Sequence, residues 1–421
     1  MKFSAQLDVN VVAVEATDEV SLLLDLQSPQ VADDQERAAA TLQVVLDRSG
    51  SMSGAPLAGA VQALCGLVGR LDERDNFGVV VFDDTAQVVV PAGPLNDKQR
   101  ALAQIQQIYP GGMTDLSGGY LRGLQELKRV AAGGGGTLLL ISDGHANRGI
   151  TDALQLEQIA SNAGSERVVT STLGYGLGYD ETALSALARG GSGNHHFAED
   201  PDTAGVAIAT EAGELLSKSV QAASLLITME PAVGLVKIYN DLPSTQVADG
   251  KVMVEVGDFY SNEHRKLLLK FGVPAMASLG LAQIATLELR YVEVPGLVEQ
   301  VVTLPVQINV VPGDEAAGRV ADPTVHTEVL FQEAQQAKKR ASEALERGDR
   351  SAAMELLSGA EGVLGAAMMG APAEMRADMV KESQDIGSMK DRGAWDDTSR
   401  LSKDTRASFH RRNRKRGRDG C

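Results

Sequence analysis

The chain has 421 residues, too many for one ordinary core, so two or three folded units are expected. Hydrophobic residues make up 43% and aromatic residues 4%, which excludes global disorder and predicts cores of Val, Leu, Ile and Ala. The net charge of −17 opposes nucleic acid and anionic membranes over most of the chain and favours cations and basic partners.

Two cysteines, Cys65 and Cys421, supply no disulfide framework, as expected of a reducing compartment. The start, MKFSAQLDVNVV, has no apolar signal core, and no apolar run is long enough to span a membrane. A soluble, cytoplasmic protein is expected.

Residues 1–35 hold two alternating segments, FSAQLDVNVVAV and EVSLLLDLQ, which predict two antiparallel strands. An isolated hairpin is marginal, so they are expected to join a sheet built further along. A polar link, VADDQERAAA, follows.

Over 40–217 strand and helix patterns alternate. LQVVLD, FGVVVFD, TLLLISDG and RVVTSTLGYG are apolar runs of the kind buried on both faces of a parallel sheet. The expectation is an α/β fold with a doubly wound, mostly parallel sheet. Over 220–312 the helices vanish. Regularly spaced strands predict an antiparallel β-sandwich that either follows the α/β unit or contains it as an insertion. Over 323–390 the pattern is helical, with Gly348 and Asp349 in the turn of an αα-hairpin. The segment 391–421 is polar, ends in HRRNRKRGRDGC, and is expected to be a disordered basic tail.

The chemistry concentrates where LQVVLD runs into RSGSMSG. In open α/β sheets ligands sit beyond the carboxyl ends of the strands. That rule places Asp47 there, with Ser49 and Ser51 at alternate positions of the next loop and Gly50 allowing a sharp bend. TLLLISDG delivers Asp143 by the same geometry. The loop YPGGMTDLSGG offers Thr114 just before a helix, with Asp115 and Ser117 expected as helix caps. Three hydroxyls and two carboxylates, without sulfur, form a hard donor set suited to Mg²⁺, or to Mn²⁺ or Ca²⁺. Two carboxylates nearly balance a divalent charge, so the ion would stay electrophilic.

Other features read as structural. Arg48 is expected to point away from a cation. His145 and Asn147 are expected loop residues. His195 and His196 lack a ligand partner at metal spacing. GYGLGYD (174–180) falls on a late strand and is not G-x-G-x-x-G. GGGG (133–136) lacks the P-loop lysine and is expected to be a connector.

Asp47-Arg48-Ser49-Gly50-Ser51 matches the D-x-S-x-S signature of von Willebrand factor A-type domains, Thr114 sits where that family has its metal-site threonine, and Ser142-Asp143-Gly144 resembles its S-D-G strand end. The resemblance covers about 40–217. It implies a metal-ion-dependent adhesion site with Ser49, Ser51 and Thr114 as hydroxyl ligands, and Asp47 and Asp143 bound directly or through water. The open coordination position would go to a partner protein's Asp or Glu. The expected function is therefore metal-dependent protein binding without enzymatic activity. No small-molecule substrate is expected, and nucleic acid only through the basic tail. Two alternatives stay open: a metal-dependent hydrolase or phosphatase with Asp47 as nucleophile, and a scaffold whose metal is purely structural.

Overall fold

The computed structural model describes residues 1–30, 39–131, 135–176, 178–294, 296 and 298–414. Most of the polar link, part of the GGGG connector and the last seven residues of the basic tail lie outside them.

The chain begins with β1 (Lys2–Leu7), β2 (Val11–Ala13) and β3 (Asp18–Gln27). It then builds β4 (Thr41–Asp47), α1 (Ala55–Arg70), β5 (Asn76–Phe82), β6 (Ala86–Pro94), α2 (Lys98–Ile105), α3 (Leu116–Ala131), β7 (Gly136–Ser142), α4 (Ala153–Ser165), β8 (Val168–Tyr175), α5 (Glu181–Gly190), β9 (Ser192–Ala198) and α6 (Pro201–Leu216). These strands form one sheet in the order β6-β5-β4-β7-β8-β9, parallel except for β6.

Strand alternation divides the apolar side chains between the two faces of this sheet. Val44, Leu46, Val79, Val81, Leu139 and Ile141 pack with Leu57, Leu64 and Val68 of α1 and Ile208 of α6. Val45, Val80, Phe82, Leu138 and Leu140 pack with Tyr120 and Leu127 of α3, Leu156 of α4 and Leu184 of α5. Burial on both faces is why these strands read as unbroken apolar runs. A β-carbon on Gly123 would stand 2.2 Å from Val45 Cγ2, so glycine there lets α3 lie against the sheet. That approach fixes the start of α3, and with it Thr114 and Asp115.

The chain winds from β4 through β5 and β6 to one edge, then from β7 through β8 and β9 to the other. Between β4 and β7 the winding direction reverses, which opens a crevice at their carboxyl ends. Asp47 ends β4 and Asp143 follows β7 directly.

Next come β10 (Lys218–Met229), β11 (Gly234–Ile238), β12 (Ser244–Ala248), β13 (Lys251–Tyr260), β14 (His264–Val273), β15 (Gly280–Glu293) and β16 (Val298–Val311). They form two sheets, β1-β3-β14-β11 and β12-β13-β10-β15-β16-β2. Val20, Leu22, Leu24, Phe271, Leu225, Ile227, Leu287 and Ile308 share one core between them. β3 pairs with β14 over ten residue positions, so the N-terminal strands complete a sheet whose other strands follow the α/β unit in sequence.

The remainder is helical: α7 (Gly313–Ala317), α8 (Pro323–Glu346), α9 (Arg350–Gly370), α10 (Ala373–Arg392) and α11 (Thr398–Arg414). Gly348 has φ +79° and Asp349 caps α9 through Ala352 N–H. The expected disorder of 391–421 is corrected for 391–414, whereas 415–421 lie outside the described residues. Residues 398–414 are a helix whose Leu401, Thr405 and Phe409 are buried. Its charges are matched from elsewhere: Arg406 meets Glu181 at 3.1 Å and Glu346 at 3.2 Å, and Arg412 meets Glu382 at 3.5 Å. Among the described residues no helix is long and apolar enough to cross a membrane.

Candidate functional site

The loop after β4 turns back at once. Asp47 Oδ1 accepts the Ser49 N–H at 2.7 Å, and Ser49 Oγ lies 3.1 Å from Ser51 Oγ. Ser51 Oγ donates to Asp143 Oδ1 at 2.7 Å, and Ser142 Oγ donates to Asp47 Oδ2 at 2.6 Å. The ends of β4 and β7 are therefore tied to each other through their polar side chains.

The third loop is tied to both. Gly50 N–H donates to Gly112 O at 2.9 Å, and Gly111 N–H to Arg48 O at 2.6 Å. Thr114 N–H donates to Asn147 Oδ1 at 3.1 Å, while Asn147 N–H returns a bond to Thr114 O at 3.2 Å. Gly144 serves as a ruler for the centre. A β-carbon built on it would stand 3.4 Å from Ser51 Oγ, 3.4 Å from Thr114 Oγ1 and 3.9 Å from Asp47 Oδ2. The structure thus gathers Asp47, Ser49, Ser51, Thr114 and Asp143, the five residues singled out in the sequence, at one strand-end crevice.

Asp47 and Ser49 are buried, Asp143 is half-buried and Ser51 is exposed, so the cluster is closed below and open above. Two carboxylates meet here, yet the guanidinium of Arg48, which stands between Asp47 and Ser49 in sequence, is committed elsewhere. Arg48 pairs with Asp83 at 2.9 Å and lies beneath the Tyr109 ring, 5.2 Å from its centroid. Asp115 acts as a cap, its Oδ1 accepting from Gly118 N–H at 2.8 Å and Ser117 Oγ at 3.0 Å. His145 is exposed, 3.7 Å from Asp180.

His195 is buried and bonded to Thr172 at 2.8 Å and Tyr179 at 3.3 Å. With His196 it lines a cavity of about 490 Å³ between β9 and α10–α11, which none of the five residues borders.

Sequence reasoning missed two supports of the site. Asp83 holds Arg48 and accepts the Asp115 N–H at 2.7 Å through its carbonyl. The strand-end rule that found Asp47 applies equally to NFGVVVFDD, because Phe82 pairs with Asp47 in the sheet. Asn147 offered no such signal, since its role depends on a bond across two loops.

The fit to a cation rests on this charge pattern. Burial pushes the Asp47 carboxyl up to about 6, against hydrogen bonds from Ser142 and Ser49, and Asp143 pushes it further. Burial likewise raises Asp143. A buried carboxylate facing a second one, with hydroxyls around both, is what a bound hard cation would relieve. Among the described residues no group of three or more His, Cys, Asp or Glu side chains is placed to hold a metal. A cation here would therefore depend on the hydroxyls.

One pH dependence follows for the metal-free protein. The folded chain holds the Asp47 proton more tightly than the unfolded chain, whose aspartate titrates near 3.8. Stability tied to this group is fully present below about pH 4 and is lost as pH rises through about 6, by roughly 3 kcal/mol. Urea unfolding in EDTA across that range, wild type minus Asp47→Asn, measures it. A flat difference would contradict the assignment.

The fold and site together define an open α/β domain with an oxygen-donor cluster at its switch point. Residues 42–210 match the family model of the von Willebrand factor type A domain, and the chain carries a domain of that type. Uncharacterized protein sll0103 of Synechocystis is 27% identical over 273 residues, covering 62% of this chain and 63% of that protein. The chain therefore matches less than two thirds of that relative's length. Two solved structures share the fold along nearly the whole chain. A von Willebrand factor type A protein from Catenulispora acidiphila has TM-score 0.73 and 14% identity, covering 99% of this chain and 97% of that one. The ArnB paralog VWA2 from Sulfolobus acidocaldarius has TM-score 0.68 and 15% identity, covering 97% of each chain.

Proposed function

We propose that the domain is a metal-dependent protein-binding module. Ser49, Ser51 and Thr114 would hold a divalent cation, Mg²⁺ before Mn²⁺ or Ca²⁺, through their hydroxyls, with Asp47 and Asp143 balancing its charge. When bound, the cation supplies an electrophilic position for a carboxylate oxygen from a partner's Asp or Glu. The observation that carries this reading is the convergence at Gly144 of oxygens from Asp47 and Ser51 and from Thr114 of a second loop, with Asp143 of the third loop reached by Ser51 Oγ at 2.7 Å, while the Arg48 guanidinium is paired with Asp83.

The chain's own residues prepare the site. Ser142 and the Ser49 amide hold both Asp47 oxygens in place, so the carboxylate is oriented before a cation arrives. The same bonds argue against the hydrolase alternative, because a buried carboxylate with both oxygens engaged is poorly placed to attack a phosphoryl group. The purely structural alternative is disfavoured by the open side. Ser51 is exposed, and the loop that carries Thr114 presents Tyr109 and Met113, 66% and 50% exposed. A protein partner bringing a carboxylate beside an apolar side chain fits such a rim.

The test is capture on immobilised full chain. Protein retained from native lysate in Mg²⁺ is expected to be lost in EDTA and absent from an Asp47→Asn column. Retention indifferent to both changes would refute the proposal.

A further inference from the structure

The helix α11 lies far along the chain from the cluster, yet a short path of contacts joins them. Lys403, 5% exposed, donates from Nζ to the Tyr179 carbonyl at 3.0 Å. The same ammonium sits 3.6 Å from the Tyr179 ring centroid and 4.0 Å from Glu181. Arg406 closes on Glu181 from the next turn of α11. Between Tyr179 and Glu181 stands Asp180. Its N–H donates to the Gly144 carbonyl at 3.3 Å, and its carboxylate lies 3.7 Å from His145. The Tyr179 ring is itself pinned against β8, where a β-carbon on Gly174 would come within 2.3 Å of it. Gly174 pairs with Ser142, the residue that holds Asp47.

We propose that Lys403 is a positioning residue for the cation site. By holding the Tyr179 carbonyl and ring it fixes Asp180 on Gly144, so that occupancy of the site and seating of α11 on the α/β domain are energetically linked. This rests on the metal-binding reading above. Two structural facts recommend it. Among the described residues, the backbone hydrogen bond that ties 179–181 to the loop after β7 is the one from Asp180 to Gly144. In addition, Lys403 is a buried cation whose Nζ hydrogen bond goes to a backbone carbonyl next to that link and not to a carboxylate. Linkage is reciprocal: whatever α11 contributes to cation affinity, the cation returns to α11.

The test uses the full chain and Mg²⁺ alone. Amide hydrogen exchange of 398–414 is measured in saturating Mg²⁺ and in EDTA, with calorimetric titration of Mg²⁺ on the same samples. Exchange in α11 is expected to slow by about 5-fold or more when Mg²⁺ binds, the lower end of usual couplings, and to be unaffected by Mg²⁺ in Asp47→Asn. Lys403→Met keeps the aliphatic stem and removes the ammonium. It is expected to weaken Mg²⁺ binding by a similar factor while all five site residues remain. Mg²⁺ binding with unchanged exchange in wild-type α11 would overturn the linkage and leave the metal-binding reading standing. Absence of Mg²⁺ binding to the wild type would overturn both. The wild-type exchange result stands whether or not Lys403→Met folds.

Discussion

Asp47→Asn is expected to abolish the thermal stabilisation that Mg²⁺ gives the wild-type protein. A ligand that binds only the folded state at about 100 times its Kd adds about 2.7 kcal/mol. For a unit of this size that raises Tm by roughly 5–10 °C. Asparagine is nearly the same shape as aspartate, and its carbonyl oxygen can still accept the Ser49 N–H, so the loop keeps its turn. What it removes is one of two charges that balance a divalent ion. The variant should also be no less stable than wild type in EDTA above pH 6, because it no longer buries a carboxylate beside Asp143. Differential scanning calorimetry with and without Mg²⁺ reads both effects. An equal Mg²⁺ response in the two proteins would remove Asp47 from the site.

The second large effect lies in the helical segment. Lys338 of α8 is fully buried, donating to Glu382 of α10 at 2.6 Å and to Ser408 of α11 at 2.8 Å. Lys338→Met leaves Glu382 buried with its strongest partner gone and with Arg412, at 3.5 Å, and Gln335 beside it. Breaking one side of a buried pair costs about 3–5 kcal/mol, whereas replacing both by apolar groups is often neutral. Urea unfolding should show a loss of that size for Lys338→Met and recovery of most of it in Lys338→Met/Glu382→Leu. Because Ser408 belongs to α11, the single variant should also loosen that helix, visible as faster exchange over 398–414. A loss under 1 kcal/mol would mean that Glu382 is not stranded by the change.

The parts of this molecule that were readable in advance share one property: their cause is local or periodic. LQVVLD and TLLLISDG show burial on both faces through their own composition, and a strand-end rule then places Asp47 and Asp143 without further information. The hairpin of α8 and α9 announces itself through Gly348 and Asp349. What was not readable depends on distant residues. The helix 398–414 looks like a solvated basic tail until Glu181, Glu346 and Glu382 are set against its arginines. Asp83 looks like a loop acid until Arg48 closes on it. β2 is three residues long, and its parallel pairing with β16 spans about three hundred positions. No sequence pattern encodes a partner that far away.

The central claim is that oxygens from three loops of this chain share one hard cation. Crystals grown with Mn²⁺, whose anomalous scattering marks it directly, test that claim. The account predicts one strong anomalous peak at bonding distance from the hydroxyls of Ser49, Ser51 and Thr114, with Asp47 and Asp143 beside it. A structure in which the manganese peaks lie elsewhere, or in which this crevice holds none at saturating Mn²⁺, would contradict it.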